Sequence, residues 1–465
     1  MKNKKLKRGQ EINLKISDLA FGGQGISKCD DLVFFVKDAI PNQEIIARIR
    51  KVKKNYIEAY KIKVLKRSSN QIDPACEHFN WCGGCTTQQL SYKKQLHYKE
   101  KQVFDILNKI GGSKVLYINP IIGCDKTFYY RNKMEYTFSG NPWYIEKESY
   151  DNIIIGLHVP KRFDKILNIN KCHINHQVFN NILQISKEIT VKENMTPYDV
   201  IKHTGFLRFL VIRIGVYTNE IMVNLVTAGY KPKIIKPLVD ALINKIPNIK
   251  SIVNTINTKK SNIVSGTSKL LYGKEFINEK IGKYIFKISA NSFFQTNSYQ
   301  VKTLYDYIIK TANFKKNDIV YDLYCGTGTI GIYIAKFVKQ VHGIEIVEDA
   351  IKDAKINAKN NNVTNINFYC GDLKDIIDSD TMNNIEKPTI VIVDPPRPGL
   401  HSNTIKNIIQ LSPEKIIYIS CNPSTQARDL KFFTNCDYHI EDIQPLDMFP
   451  HTPHIECIVT LKNKK

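Results

Sequence analysis

The chain has 465 residues and a net charge of +23 at pH 7, from 67 Lys and Arg against 44 Asp and Glu. This length suits roughly two to four domains of about 100–200 residues, and a hydrophobic content of 43% allows sizeable cores. No stretch approaches the ~18 consecutive apolar residues of a membrane helix, and no apolar region of a secretory signal follows the basic N-terminus. We therefore expect a cytoplasmic protein with no membrane partner.

The excess of positive charge favours a polyanionic partner, because Lys and Arg release counterions when they neutralise phosphates. An AT-rich genome, which also explains the abundance of Asn, Ile and Tyr, is an alternative source of the lysines. Residues 8–66 read as short strands with a Gly-rich turn, FGGQG, and this pattern predicts a small β-barrel. The cationic run from Arg48 to Lys54, followed by Tyr56, has two equally good interpretations: contact with the phosphate backbone of RNA, or an ordinary solvent-exposed face of the barrel.

Cysteines crowd into the stretch CEHFNWCGGC, which contains Cys76, Cys82 and Cys85. Eleven cysteines in so long a chain do not form the framework of a small disulfide-rich domain. In a reducing compartment the crowding indicates a metal or cluster site. His78, His97 or His173 could complete a zinc site, and an iron–sulfur cluster is the other reading.

The spacing of apolar residues divides the rest of the chain into three regions. Apolar spacing from Ser91 to Ile110 predicts a helix that ends at Gly111. A strand-rich region follows to about residue 290. From about residue 291, helices alternate with short buried strands, which is typical of a doubly wound α/β domain.

The first strand of that domain, NDIVYDLY, leads directly into a glycine-rich turn and a helix, CGTGTIGIYIA. Backbone amides at such a helix N-terminus can contact a bound ligand. Later strands end in Glu345, Asp372 and Asp394, and Glu345 lies nineteen residues after Gly326, where a carboxylate can accept ribose hydroxyls. Acidic strand ends without a phosphate-binding loop favour S-adenosylmethionine over a dinucleotide or ATP.

The strand EKIIYIS ends at Cys421, and Pro423 follows in a rigid turn. A thiolate that attacks carbon 6 of a pyrimidine makes carbon 5 nucleophilic enough to take a methyl group, and a base must then remove the carbon-5 proton. Glu456, at the edge of an apolar final strand, is the candidate base, since a carboxylate there is costly unless it is used. Arg397 stands after Asp394-Pro395-Pro396 where amino-methylating enzymes carry an aromatic residue, which disfavours amine methylation.

Four motifs, DLYCGTGTIG, IVDPPRPGL, ISCNPSTQARD and FPHTPHIECIV, resemble those of the RNA uracil-5-methyltransferase family in order and spacing. SANSFFQTN and YRNKMEYTF extend the resemblance to essentially the whole chain, and the N-terminal segment resembles a TRAM domain, an OB-like RNA-binding module. The resemblance implies that Cys421 is the nucleophile and Glu456 the base. It implies S-adenosylmethionine contacts from Gln295, Tyr324, Glu345 and Asp394, and weaker ones from Thr329 and Asp372.

The resemblance also implies a 4Fe-4S cluster, with zinc as the alternative, held by Cys76, Cys82, Cys85 and Cys172. It divides the chain into a TRAM domain (1–67), a central α+β domain with the iron–sulfur cysteines (68–290) and a methyltransferase domain (291–465), on which the helix near 94–120 could pack. The expected substrate is a uridine of 23S ribosomal RNA, acted on by a monomer without an obligate protein partner. Alternatives are the T-loop of tRNA, methylation of cytosine at carbon 5, and a non-catalytic RNA-binding iron–sulfur protein.

Overall fold

The computed structural model describes residues 6–29, 31–111, 117–143, 153–373 and 385–464. The first sheet has six strands in the order β1-β5-β6-β4-β3-β2. Its strands are β1 (Glu11–Lys15), β2 (Asp18–Leu19), β3 (Gly25–Cys29), β4 (Leu32–Lys37), β5 (Glu44–Val52) and β6 (Tyr56–Lys66). Alternate side chains of β5 are buried, as expected of strands with one face against a core.

The closed barrel predicted for this region is not found in the strand pairing of the described residues. β1 pairs only with β5, and β2 pairs only with β3, so the sheet keeps two ends. Those ends are consecutive in the chain, joined by Ile16 and Ser17, and the pairing changes partner there: Ile16 donates its N–H to the carbonyl of Gln43, whereas Ser17 donates to that of Ile26. This change of partner leaves β1 and β2 at the two ends of the six-stranded sheet.

Helix α1 (Tyr92–Ile110) follows, as the apolar spacing predicts, with Ser91 before its first turn. Its buried Val103 and Leu107 belong to the same core as the C-terminal sheet. Part of the predicted 94–120 segment, residues 112–116, lies outside the described residues. The helix thus connects the N-terminal sheet to the C-terminal one.

The central region is an eight-stranded sheet in the order β14-β13-β12-β11-β7-β9-β10-β8, with α2 (Gln177–Lys192) and α3 (Pro232–Lys245) packed into its core. Its strands are β7 (Lys133–Ser139), β8 (Pro142–Trp143), β9 (Ile154–His158), β10 (Ile166–Asn168), β11 (Leu207–Gly215), β12 (Glu220–Thr227), β13 (Ile249–Ile256) and β14 (Thr267–Gly273). A hairpin of β15 (Phe276–Ile281) and β16 (Tyr284–Ser289) leads to the C-terminal part.

Within the described residues, the C-terminal sheet has seven strands in the order β19-β18-β17-β20-β21-β23-β22, and all of them run in the same direction except β23, which is antiparallel to both of its neighbours. Its strands are β17 (Ile319–Leu323), β18 (Gln340–Glu345), β19 (Ile366–Cys370), β20 (Ile390–Val393), β21 (Lys415–Ser420), β22 (Tyr438–Leu446) and β23 (Glu456–Asn463). Its helices are α4 (Ser298–Ala312), α5 (Thr329–Ile334), α6 (Glu348–Asn360), α7 (Ser402–Leu411) and α8 (Pro423–Thr434). The predicted doubly wound α/β domain is confirmed.

The central parallel strands of this sheet are buried without alternation, because helices cover both of their faces, whereas the edge strand β19 alternates between buried and exposed residues. β17 and β20 are buried along their whole length. Such a sheet exposes functional side chains only where its strands end. Among the described residues, no helix combines the length and apolar character needed to cross a bilayer.

Candidate active site

Five of the predicted site residues lie at one edge of the C-terminal sheet. Parallel strands bring their carboxyl ends to the same edge, where ligands bind in open α/β sheets. The residues at or just after those ends are Tyr324 (β17), Glu345 (β18), Asp372 (β19), Asp394 (β20) and Cys421 (β21). The sequence pattern thus gathers them at one crevice.

Glu456 reaches the same edge from the opposite direction. It is the first residue of β23, which runs antiparallel to β21, with Ser420 opposite Cys457. One step further along this register, Cys421 stands opposite Glu456. The predicted nucleophile and the predicted base are therefore neighbours across a strand pair, although 35 residues separate them in the chain.

The thiol of Cys421 is partly buried at the start of the turn into α8. Burial raises its pKa to about 11, and the nearby carboxyl groups of Glu456 and Asp394 add to the rise. Arg397 acts in the opposite direction, because its positive charge near the sulfur favours the thiolate. The cation that stands in place of an aromatic residue in the Asp-Pro-Pro motif is therefore the group that favours the thiolate.

Glu456 and Asp394 form a pair of carboxyl groups, the first buried and the second partly buried. Glu456 is 3% exposed, and burial, followed by the charge of Asp394, raises its pKa well above the ordinary value. Burial raises the pKa of Asp394 to about 7. Two neighbouring carboxyl groups with raised pKa values resist simultaneous ionisation, an arrangement suited to accepting and holding a proton near pH 7.

The glycine-rich turn after β17 has an unusual backbone. Tyr324 has a φ of 63°, which is rare for a bulky residue, and Gly326 and Gly328 have φ values of 52° and 77°. Glu345 anchors the turn, since its two carboxylate oxygens accept the N–H groups of Gly326 (3.1 Å) and Val347 (3.0 Å). Strained residues held this firmly are typical of ligand-binding turns.

A cleft beside this turn is lined by Gly326, Glu345 and Val347 and, on its other side, by Phe293. Gln295 lies two residues after Phe293 in the loop before α4, and its carbonyl oxygen accepts a hydrogen bond from Asn132 (2.9 Å). The glycine turn and the Gln295 loop thus flank one space.

Thr329 and Asp372, the two weaker cofactor positions predicted from the sequence, differ in their surroundings. The Thr329 hydroxyl hydrogen-bonds to that of Tyr305 (2.7 Å) at the start of α5. Asp372 is partly buried just after β19, and its charge, like that of Glu345, contributes to the raised pKa of Tyr324, of which burial is the main cause. The Thr329 hydroxyl is therefore hydrogen-bonded to a side chain of α4, whereas Asp372 lies at the crevice.

The loop before Glu456 is held by the first half of the chain. Thr86 and Thr87 donate their N–H groups to the carbonyl of His451 (3.0 and 3.2 Å), next to the cysteine-rich stretch. The buried ammonium of Lys99, in α1, bonds to Asp447 at 2.7 Å. His451 has a φ of 67°, so these contacts stabilise a strained loop.

Four cysteine side chains line one small, largely apolar cavity: Cys76, Cys82, Cys85 and Cys172. Burial raises the pKa of all four thiols, to about 12 for Cys82, and Cys172 contributes to the rise at the other three. Among the described residues, no three His, Cys, Asp or Glu side chains stand close enough to hold a single metal ion. Cys172, which spacing alone does not identify, thus meets three cysteines from far upstream.

Two residues at the crevice were missed in the sequence. Arg397 was interpreted only as a missing aromatic residue, and nothing in the motif indicates that it contacts a thiol 24 positions later. Asp322 is buried at the end of β17, where its carboxylate accepts the N–H of Gly331 (2.9 Å). Burial raises its pKa to about 7; a polar residue inside an apolar strand was the available signal.

Comparisons with known proteins identify the family of the chain. A family model described as tRNA (uracil-5-)-methyltransferase matches residues 216–464, and a TRAM domain model matches residues 5–62. Uncharacterised RNA methyltransferases of Halalkalibacterium halodurans and Chlorobaculum tepidum are 37% and 36% identical, over 97% of this chain and 97% and 96% of their own lengths.

A solved structure is similar over the whole chain. It is the tRNA (uracil-54, C5)-methyltransferase of Pyrococcus abyssi in complex with S-adenosyl-L-homocysteine. The two chains are 32% identical with a TM-score of 0.78, covering 97% of this chain and 99% of the other. The chain thus belongs to the tRNA (uracil-5-)-methyltransferase family, with a TRAM domain at its N-terminus, and is an S-adenosylmethionine-dependent RNA methyltransferase.

Proposed function

We propose that the enzyme methylates carbon 5 of a uridine in RNA through a covalent bond between Cys421 and carbon 6. One observation carries the proposal: the Cys421 thiol, the cation Arg397 and the carboxyl groups of Glu456 and Asp394 lie together at the crevice edge, where β20, β21 and β23 meet. This set supplies the nucleophile and the base that the reaction needs.

The reaction has three steps at the uracil ring. The Cys421 thiol gives its proton to solvent, and the sulfur bonds to carbon 6 while Arg397 favours the thiolate; the electron pair of the 5,6 double bond moves toward carbon 5 and the carbon-4 carbonyl. Bound S-adenosylmethionine would supply the methyl group that carbon 5 takes and would leave as S-adenosylhomocysteine, while Glu456 stays a carboxylate. Glu456 then removes the carbon-5 proton, and the electron pair of that C–H bond restores the 5,6 double bond and expels the sulfur. A carboxylate with a raised pKa is a stronger base than an ordinary glutamate, which suits this last step.

The cofactor would bind in the cleft beside the glycine-rich turn. Glu345 retains acceptor capacity for ribose hydroxyls, because each of its oxygens accepts only one backbone N–H. We assign further contacts to Gln295, Tyr324, Asp372 and Asp394. Thr329 has the weakest support, since its hydroxyl bonds to Tyr305.

We further propose that Cys76, Cys82, Cys85 and Cys172 hold a 4Fe-4S cluster. The donor set suits this group, because four thiols line one apolar cavity and four Cys thiolates are the usual ligands of a 4Fe-4S cluster. Bound as thiolates, the four cysteines would stabilise the segment that hydrogen-bonds to His451 through Thr86 and Thr87.

Anaerobically purified protein should therefore be brown and contain about four iron and four sulfide per chain, as expected for the cluster type. Cys85→Ser should lose the colour and the iron, while Cys436→Ser, at an exposed thiol, should keep both. Iron and sulfide content is measured by elemental analysis, and the colour by visible absorption. Zinc without iron in the wild-type protein would contradict the cluster.

For the domains we propose a TRAM domain over 1–67, a central domain over 68–290 and a methyltransferase domain over 291–465. The proposed substrate is 23S ribosomal RNA, acted on in the cytoplasm by a monomer. The T-loop of tRNA is the second candidate. It is favoured by the Pyrococcus abyssi enzyme, which acts on uracil 54 of tRNA and matches this chain over 99% of its length.

Transfer of labelled methyl groups to purified 23S ribosomal RNA and tRNA, both from cells lacking the enzyme, separates these substrates. We expect 5-methyluridine in ribosomal RNA, mapped by nuclease digestion and mass spectrometry. Label confined to tRNA would move the assignment to the second candidate, and label on cytidine would contradict uridine chemistry.

A further inference from the structure

A second cleft, between the central sheet and the loop before β23, carries an unusual set of charges. Its lining includes Arg131, Lys133 and Arg213 but only one carboxylate, that of Glu135. Lys133 pairs with Glu135 at 2.5 Å. The cleft wall therefore keeps a net positive charge.

Arg213 is the most deeply buried of these cations. It is 5% exposed, and one Nη donates to the carbonyl of Ser292 (2.5 Å), while its Nε is buried without a partner. Within the part of the chain that the structure describes, it forms no salt bridge. It also stands directly opposite Lys133 across the β7–β11 pair. Like charges in facing positions destabilise a sheet, and a buried unpaired cation costs free energy, so the arrangement points to a missing anion.

The rim of the same cleft presents an aromatic ring to solvent. Phe163 is 70% exposed at the turn between β9 and β10 and follows Lys161 and Arg162. The turn is ordered, because Asp164 pairs with Arg162 (2.8 Å) and its carbonyl accepts a hydrogen bond from Asn141 (2.9 Å). Exposed aromatic rings on fixed turns beside cations serve as stacking platforms for unpaired bases.

The cleft leads to the proposed reaction centre. His454 lines it, and the ring of His454 lies 3.4 Å from the guanidinium of Arg397, the cation beside the Cys421 thiol. A nucleotide strand in this cleft would thus continue from the charged wall to the thiol.

We propose that this cleft binds a single-stranded segment of the substrate RNA next to the target uridine. A backbone phosphate lies between Arg213 and Lys133, and an unpaired base stacks on Phe163. The inference rests on the proposed RNA-methylating function and adds to it the form of RNA that is bound: an unpaired strand, not a continuous duplex.

Equilibrium binding of fluorescent RNA to the full-length enzyme, measured without S-adenosylmethionine, tests the site. The probes are a short oligouridylate and a duplex of the same length. Phe163→Ala should weaken oligouridylate binding about 5- to 150-fold, from the usual loss per stacked base, and Phe163→Tyr should restore it. Phe432→Ala, at an exposed ring of α8, is the matched control and should bind normally.

Lys133→Gln tests the phosphate contact, because replacing the buried Arg213 risks unfolding the sheet. The slope of log affinity against log salt should become shallower by about 0.7, the value for one phosphate of a single strand. Lys236→Gln, at an exposed lysine of α3, should leave the slope unchanged.

Unchanged affinity in Phe163→Ala and an unchanged slope in Lys133→Gln would overturn the cleft proposal, as would tighter binding of the duplex. Adduct formation at Cys421 with 5-fluorouridine RNA is scored separately. If the wild-type enzyme forms the adduct and the variants bind RNA normally, the cleft proposal is wrong and the proposed chemistry stands. If the variants bind RNA more weakly and the wild-type enzyme forms no adduct, the proposed chemistry is wrong and the cleft proposal stands.

Discussion

Cys421→Ala is expected to abolish methyl transfer, with a loss in kcat on the order of 10⁴- to 10⁶-fold, as for removal of other covalent nucleophiles. Without the sulfur, carbon 5 of uracil stays a poor nucleophile however well the cofactor binds. The measurement is incorporation of labelled methyl groups into RNA. Binding of S-adenosylmethionine should survive, because the proposed cofactor cleft lies beside Gly326 and Glu345.

Cys370 offers the matched control. It is an exposed thiol at the end of β19, on the same sheet and at the same edge as Cys421. Cys370→Ala should retain wild-type turnover. Substantial turnover in Cys421→Ala would show that the chemistry does not pass through this thiol.

Glu456→Gln is expected to stop the reaction after methyl transfer and before release. The amide cannot accept the carbon-5 proton, so the methylated base should stay attached to Cys421. Turnover should fall about 10²- to 10⁴-fold, the usual contribution of a general base. A protein–RNA adduct should then accumulate with ordinary uridine RNA, carrying one methyl group, visible on a denaturing gel and by mass spectrometry.

Glu441→Gln controls for the loss of a carboxylate on the same sheet, since Glu441 is exposed on the neighbouring β22 and pairs with Lys415. It should turn over normally and form no stable adduct. Rapid multiple turnover in Glu456→Gln would assign the proton removal to another group, with Asp394 next to be tested.

The residues of the crevice could be predicted from the sequence because each of them ends or follows an apolar run that reads as a strand. Glu345, Asp394 and Cys421 end or follow apolar strands, and parallel pairing must bring such ends together. Local patterns predicted the α/β domain, which is confirmed. The TRAM domain was predicted from the family resemblance of the N-terminal segment, and the TRAM model matched to residues 5–62 confirms it. Glu456 was located by its apolar surroundings, and the antiparallel register of β23 brings it opposite Cys421.

What the sequence could not predict depends on contacts between distant segments. The facing cations Arg213 and Lys133 are 80 residues apart and meet only through the β7–β11 register. Arg397 reaches the thiol because two strand-end turns converge. The barrel prediction failed at Ile16 and Ser17, where the chain changes its strand partner, because an alternating pattern does not say which strand pairs with which.

Reaction with RNA containing 5-fluorouridine tests the central claim most directly, because fluorine at carbon 5 cannot be removed as a proton and the covalent intermediate persists. The predicted result is a stable adduct with one added methyl group, whose digested peptide maps the link to Cys421. A link to another residue, or turnover of ordinary RNA with no adduct to the fluorinated one, would contradict the account.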